Sequence, residues 1–177
     1  MIIILSGLPG VGKTAIAREL ASQIGAVHLR IDSIEQAMWR SQAVSTSLDD
    51  AGYRVAYAVA EDNLRLGLTV IADSVNPIQL TRDAWIDVSA HAGVPAIEIE
   101  VMCSDVDEHR RRVESRVSDI PGHRLPTWDE VMSREYVPWN REHIVLDTAA
   151  NSLNENVEMV RTAIRDTLPE WDARPTH

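Results

Sequence analysis

An open α/β fold, a parallel sheet covered by helices on both faces, is the architecture this sequence predicts. Three features predict it. Short apolar runs rich in β-branched residues alternate with longer segments of helical periodicity, the pattern of successive βαβ units. Most of the short runs are apolar throughout, as strands buried on both faces must be. The first run leads straight into a glycine-rich stretch and then an amphipathic pattern, a strand–loop–helix order with chemical meaning.

Taken in order, the first strand is 2–5, all aliphatic. No basic flank precedes it and glycines follow at once, so we expect a buried strand and not a leader or anchor. Helix 13–24 places Ile16, Ala17, Leu20, Ala21 and Ile24 on one face, and Gly25 closes it. Strand 26–31 follows, then helices 33–44 and 50–66 and strand 68–72. Asn76-Pro77 reads as an N-cap before a proline in the first helical position, opening helix 78–92, which Gly93 closes. Strand 96–102 precedes helix 106–118, whose first turn is acidic. Thr127-x-x-Glu130 and Ser152-x-x-Glu155 are capping boxes for helices 128–136 and 153–168, with strand 143–147 between them. Residues 118–126, with Pro121, Gly122 and Pro126, form the one long loop, and the tail after Pro169 is expected to be loosely held.

A chain of 177 residues fits one domain over 1–177, burying roughly 70% of the surface its unfolded form exposes. Apolar residues at 45% and charged residues at 25% match water-soluble globular chains, and no apolar run is long enough to cross a bilayer. One cysteine, Cys103, cannot form an internal disulfide, which suits a reducing cytoplasm; it reads as a small core residue. The formal net charge of −10 opposes binding to nucleic acid or an acidic membrane.

Gly7-Leu8-Pro9-Gly10-Val11-Gly12-Lys13-Thr14, followed by Ala15, fits G-x-x-x-x-G-K-[ST]. Glycines let consecutive backbone N–H groups converge on phosphate oxygens, and the helix behind presents its positive end. Lys13 adds a full charge at the outer phosphates of ATP or a close relative, and the Thr14 hydroxyl suits Mg²⁺. The chain holds 16 arginines and one lysine, and that lysine is Lys13. A compact ammonium on a flexible stem is what such a pocket needs, and a planar guanidinium does not replace it.

Two carboxylates end predicted strands. Asp32 follows His28-Leu29-Arg30-Ile31 at the carboxyl edge where open α/β sheets collect ligands, and can accept the proton of an attacking hydroxyl. Asp32-x-x-Glu35 also reads as a capping box for the next helix. Asp73 ends Leu68-Thr69-Val70-Ile71-Ala72 in the arrangement that holds Mg²⁺, or as an ordinary turn residue. Helix 106–118 carries Arg110, Arg111, Arg112 and Arg116; Arg112 and Arg116, four apart, share a face. With the breaker-containing loop behind it, the region 106–136 has the makings of a lid that brings positive charge to a transferring phosphoryl group.

On these motifs, Gly7 to Thr14, Leu29-Arg30-Ile31-Asp32, Val70-Ile71-Ala72-Asp73-Ser74 and the Arg112/Arg116 pair, the chain resembles the small P-loop kinases of the polynucleotide-kinase-like and metabolite- or antibiotic-phosphorylating group. The resemblance spans nearly the whole chain. It implies a three-layer P-loop NTPase fold with sheet order 2-3-1-4-5 and a helical lid. It also implies ATP and Mg²⁺ as cofactors, Asp32 as general base, and phosphate contacts from Lys13, Arg112 and Arg116. Some such kinases carry an Arg on the helix just after the Asp. Here that helix reads Ser33-Ile34-Glu35-Gln36-Ala37-Met38-Trp39-Arg40, so the acceptor side is charged differently.

Trp39, Tyr53, Tyr57, Arg40, Arg54 and Arg65 are candidates to wall an acceptor site, although Tyr53 and Tyr57 are also spaced as core residues. Trp85, Trp128 and Trp139 read as packing or lid anchors, and Asp147-Thr148-Ala149-Ala150-Asn151 as a loop at the adenine edge. No histidine has metal-ligand spacing. The expected activity is phosphotransfer from Mg-ATP to a small hydroxylated molecule. The alternatives are a nucleotide or polynucleotide-end kinase and an ATP-regulated switch.

Overall fold

The structure, a computed structural model, describes residues 1–42 and 50–171. Strands β1 (Ile2–Ser6), β2 (Val27–Arg30), β3 (Val70–Asp73), β4 (Ala96–Met102) and β5 (Ile144–Asp147) form one parallel sheet in the order β2-β3-β1-β4-β5. The helices among the described residues are α1 (Lys13–Ile24), α2 (Ile31–Arg40), α3 (Ala51–Arg65), α4 (Gln79–Ala92), α5 (Val106–Ser115), α6 (Trp128–Met132) and α7 (Leu153–Thr167).

β1 is the central strand, and every one of its residues is buried. Side chains alternate across a strand, so its aliphatic run feeds two cores at once. Ile3 and Leu5 pack with Ile71, Ile99 and Leu146 under α1 and α7, whose Ile16, Leu20, Val160 and Ile164 face them. Ile2 and Ile4 pack on the opposite side with Val70 and Ala72 beneath α3 and α4, against Ala56, Ala60, Leu64 and Trp85. Each fully buried aliphatic side chain contributes about 1.5–3 kcal/mol, which is why the run cannot tolerate a polar residue on either face. Parallel pairing of Ile4 with Ala72 on one side and Glu98 on the other brings the carboxyl ends of the strands to one edge.

Several boundaries follow the sequence. Gly25 and Gly93 are left-handed C-caps, and both capping boxes are present with their reciprocal hydrogen bonds. Cys103 is buried as a core residue, and Trp85 is fully enclosed.

Other boundaries differ from expectation. The expected strand end at 31 and helix start at 33 give way to a direct junction, in which α2 begins at Ile31 with Arg30 as its N-cap. Asp32 therefore lies inside the first turn, and no side chain caps this helix; the Asp32-x-x-Glu35 capping box is absent. The far end of the expected helix 33–44 lies outside the described residues, as does most of the tail after Pro169.

Asn76-Pro77 does not cap α4, which starts at Gln79 without a side-chain cap. Asn76 is instead held at φ 49 by distant partners, its side-chain amide donating to Ser6 Oγ at 3.0 Å and its N–H to the Tyr53 hydroxyl at 3.0 Å. α5 stops at Ser115, short of the expected 118, because Arg116 turns extended at ψ 145. α6 stops at Met132, short of the expected 136.

Candidate active site

The glycine-rich loop connects β1 to α1 at the sheet's carboxyl edge. Gly7 has φ 139, and a Cβ there would meet the Val101 carbonyl oxygen at 2.1 Å; Gly10 has φ 89, and a Cβ there would meet Val113 of α5 at 2.5 Å. Only glycine satisfies both the backbone angle and the close approach. Among the described residues, no hydrogen-bond acceptor takes the N–H groups of Gly10, Val11, Gly12, Lys13 or Thr14, which lie at the positive end of α1. The residues Pro9, Gly10, Gly12, Lys13, Thr14 and Ala15 line a cleft there, while Val11 is buried beneath it.

Lys13 is 8% exposed and folds back over the loop, donating to the carbonyls of Gly7 at 2.8 Å and Leu8 at 2.9 Å. Burial lowers its pKa to about 8 against the pull of Asp73 and Asp32, with Arg116 and Arg134 adding to the depression. Asp73, at the end of β3, is 3% exposed and accepts a hydrogen bond from His28 Nε2 at 3.1 Å. Burial alone would raise its carboxyl; the His28 bond, the Lys13 charge and the nearby Thr14 hydroxyl overcome that and hold it below the usual range. Thr14 and Asp73 are thus neighbours, as a shared cation would require.

Asp32 lines the same cleft with its carboxylate 45% exposed, and Arg30 Nη2 stands 3.7 Å from it. Glu35, one turn on, is pressed against α3, where Gly52 passes so closely that a Cβ would meet the Glu35 Cγ at 2.4 Å. Burial, then the neighbouring Asp32 charge, raises the Glu35 carboxyl pKa.

The two arginines expected to share a helix face do not. Arg112 lies in α5 and is engaged: Nε donates to Glu108 at 2.7 Å, and its other nitrogens donate to the Thr148 hydroxyl at 2.8 Å and carbonyl at 3.1 Å. Thr148 Oγ1 in turn donates to the Val11 carbonyl at 2.8 Å, so the turn after β5 braces the glycine loop. Arg116, beyond the helix end, lines the cleft with Nε and one terminal nitrogen buried and without an acceptor. Its guanidinium pKa is lowered by burial first, with Asp32 opposing and Arg30 reinforcing.

Of the residues expected to wall an acceptor site, only Tyr53 lines the cleft. Tyr57 packs edge-on against Trp85 at 4.6 Å, Trp39 is 44% exposed elsewhere, Arg54 and Arg65 pair with Asp50 and Glu61, and Arg40 is exposed. Trp128 meets His109 edge-on and Trp139 stacks on His143, both in packing roles. Sequence reasoning passed over Arg30, whose position two residues before Asp32 on a period-two strand end was a usable signal. It also passed over His109, buried with Nε2 donating to the Pro9 carbonyl at 2.9 Å, where no local signal existed.

This geometry can hold a polyphosphate on the loop, a cation at Thr14 and Asp73, and a second ligand beside Asp32. Among the described residues no three His, Cys, Asp or Glu side chains cluster to hold a metal by themselves. No helix of the described residues is long and apolar enough to cross a membrane.

Known proteins resemble this chain in sequence or fold. A protein of Aeropyrum pernix named as a probable adenylyl-sulfate kinase is 26% identical over 95% of this chain and 94% of its own length. Kti12 of Chaetomium thermophilum, solved with ADP-AlF3, superposes with a TM-score of 0.70 at 23% identity, covering 95% of this chain and 99% of that one. A sugar kinase from Janibacter sp. HTCC2649 superposes with a TM-score of 0.68 at 18% identity, covering 99% and 98%. Residues 2–134 match the family described as an AAA domain, and by that match this chain belongs to the AAA domain family within the P-loop NTPase superfamily.

Proposed function

We propose that this protein is an ATP-dependent kinase that transfers a phosphoryl group from Mg-ATP to a hydroxyl of a small molecule. The observation that carries the reading is that Lys13 and Asp32 open onto one cleft of about 1020 Å³ and act on each other electrostatically. Ligand sites commonly span about 300–1,000 Å³, so this cleft has room for a nucleotide and a small acceptor together. The relatives named for a sugar and for adenylyl sulfate support an acceptor of that size.

In this reading the loop from Gly7 to Ala15 cradles the phosphates through its open N–H groups, and Lys13 leaves its carbonyl partners to pair with the outer phosphates. Thr14 and Asp73 would hold Mg²⁺, whose chemistry is to neutralise charge on the phosphate oxygens. Asp32 takes the acceptor's hydroxyl proton as the new P–O bond forms and the bond to the bridging oxygen of the departing ADP breaks. Arg116, with unmet donors beside Asp32, stabilises charge on the phosphoryl oxygens in flight. Arg112 acts less directly, by fixing the Thr148 turn against the loop on the adenine side. Residues 106–136 form the lid of one domain, closing over the cleft to exclude water. The net negative charge favours a metabolite over a nucleic acid as acceptor, in a reducing cytoplasm that suits the buried Cys103 thiol.

The test is ADP release from Mg-ATP with pools of small hydroxylated compounds, using Lys13→Ala as control. Acceptor-stimulated, Lys13-dependent release is expected. Slow release indifferent to every acceptor would sink the kinase reading in favour of a nucleotide-regulated switch.

A further inference from the structure

Arg30 ends β2 directly below Asp32, and its side chain is only 13% exposed. Its principal partner is not on the same element. Asp119, in the irregular segment between α5 and α6, accepts from Arg30 Nη1 through both carboxylate oxygens, at 2.9 and 3.0 Å, and also binds Arg18 of α1. Arg30 Nε is buried with no acceptor at all. A guanidinium carries five N–H donors in a rigid fork, so this one remains underused.

The two sides of that pair differ in how they are held. Arg30 sits on a strand in register with Asp73, so its backbone is held by the sheet, and its side chain is nearly buried. Asp119 is 44% exposed in a segment without regular structure, next to Pro121-Gly122. A fixed, nearly buried cation thus meets a carboxylate carried by the more movable partner. The surroundings also favour anions. Among the described residues lining the cleft, Lys13 and six arginines face six carboxylates, whereas the whole chain has 17 basic and 27 acidic side chains.

We propose that Asp119 occupies a subsite for an anionic group of the acceptor: Arg30, flanked by Arg18, receives a phosphate, sulfate or carboxylate carried by the hydroxylated substrate when Asp119 withdraws. This deepens the kinase reading and rests on it, because the subsite matters for transfer only if the acceptor binds beside Asp32. A bidentate charge-assisted contact there orients the hydroxyl toward Asp32. Exchange of one carboxylate for a ligand anion also couples acceptor entry to movement of the 116–127 segment.

The experiment uses the full chain saturated with Mg-ADP, so that the glycine loop is filled, and titrates inorganic phosphate, sulfate and acetate by calorimetry. Asp119→Asn, which removes the competing charge, is expected to tighten binding of the preferred anion by about tenfold, and Arg30→Gln to weaken it by about tenfold. In the double variant the effect of Asp119→Asn should vanish. Unchanged Mg-ADP affinity certifies the fold, and Arg30→Lys serves if the glutamine variant does not fold. Anion affinity indifferent to both positions, or weakened by Asp119→Asn, overturns the subsite. The anion bound best names the group, whether phosphate, sulfate or carboxylate.

ADP release is then followed with hydroxylated compounds in pairs, with and without an anionic group. Anion binding as expected with no acceptor-stimulated release would overturn the kinase reading and leave the subsite standing. Release favouring neutral members, and unmoved by Asp119→Asn, would do the reverse.

Discussion

The nucleotide side and the acceptor side of the cleft are built on different principles. On the nucleotide side, chemistry comes from backbone and from buried groups: open N–H donors, Lys13 folded onto loop carbonyls, and Asp73 at the end of a strand with no exposed residue. On the acceptor side, chemistry comes from half-exposed charges on α2 and on the irregular segment 116–127, such as Asp32, Arg116 and Asp119. The first half is rigid because the sheet core makes it so. The second is held by ion pairs, which are weak where solvent reaches them and so can be exchanged. A site built this way can bind one ligand in a fixed cradle and adapt its other half to the partner.

Asp32→Asn is the sharpest way to separate the two halves. A lost general base should lower kcat roughly 10²–10⁴-fold while the dissociation constant for Mg-ATP stays put; an equal loss of nucleotide affinity would erase the division. Next in size is a change at Arg82, which is fully buried and donates to the carbonyls of Asn76, Pro77, Val137 and Pro138. Arg82→Met keeps the bulk but strands those acceptors, and should cost about 3 kcal/mol in a urea unfolding measurement. It joins the loop after β3 to the segment after α6, so kcat should suffer more than nucleotide affinity.

A smaller effect tests the cradle itself. The Lys13 pKa is depressed to about 8, and a bound polyphosphate would push it back up. Nucleotide binding above pH 8 should therefore take up a proton, and affinity should fall by up to about tenfold per pH unit until the pKa of the complex is passed. Calorimetry at pH 8.5 in two buffers of different ionisation enthalpy would detect the uptake; a buffer-independent heat would contradict it. For stability the sign is opposite to that of a paired lysine. The folded state carries a buried charge at a cost below about pH 8, and that cost disappears between 8 and the ordinary lysine value of 10.5, so this group makes the fold more stable as pH rises there. At the bottom of the scale, Arg110→Ala removes an exposed pair with Glu114 and should leave both unfolding midpoint and kcat unchanged.

How far the sequence could be read follows the same division. The five strands, the glycine loop and the caps at Gly25, Gly93, Thr127 and Ser152 were legible because each depends on residues within one turn or one strand. Arg112 and Arg116 were misread as a pair because their spacing presupposed a helix that ends at Ser115. Asn76 was misread as a cap because its partners, Ser6 and Tyr53, lie 70 and 23 residues away. Arg30 showed its position but not its partner, since Asp119 is 89 residues distant.

The sequence by itself determined the α/β class, the buried central strand and the phosphate-binding loop with its one lysine. Those rest on alternation, on glycine's access to positive φ and on the contrast of ammonium with guanidinium, all of which act locally. Only the tertiary structure decided which arginines are tied up and which are free, that Asp32 lies inside the first turn of a helix instead of capping it, and that Asp119 sits on Arg30. A charge binds to whatever opposite charge folding brings within hydrogen-bond reach, and that proximity is a property of the packed layers, not of spacing along the chain.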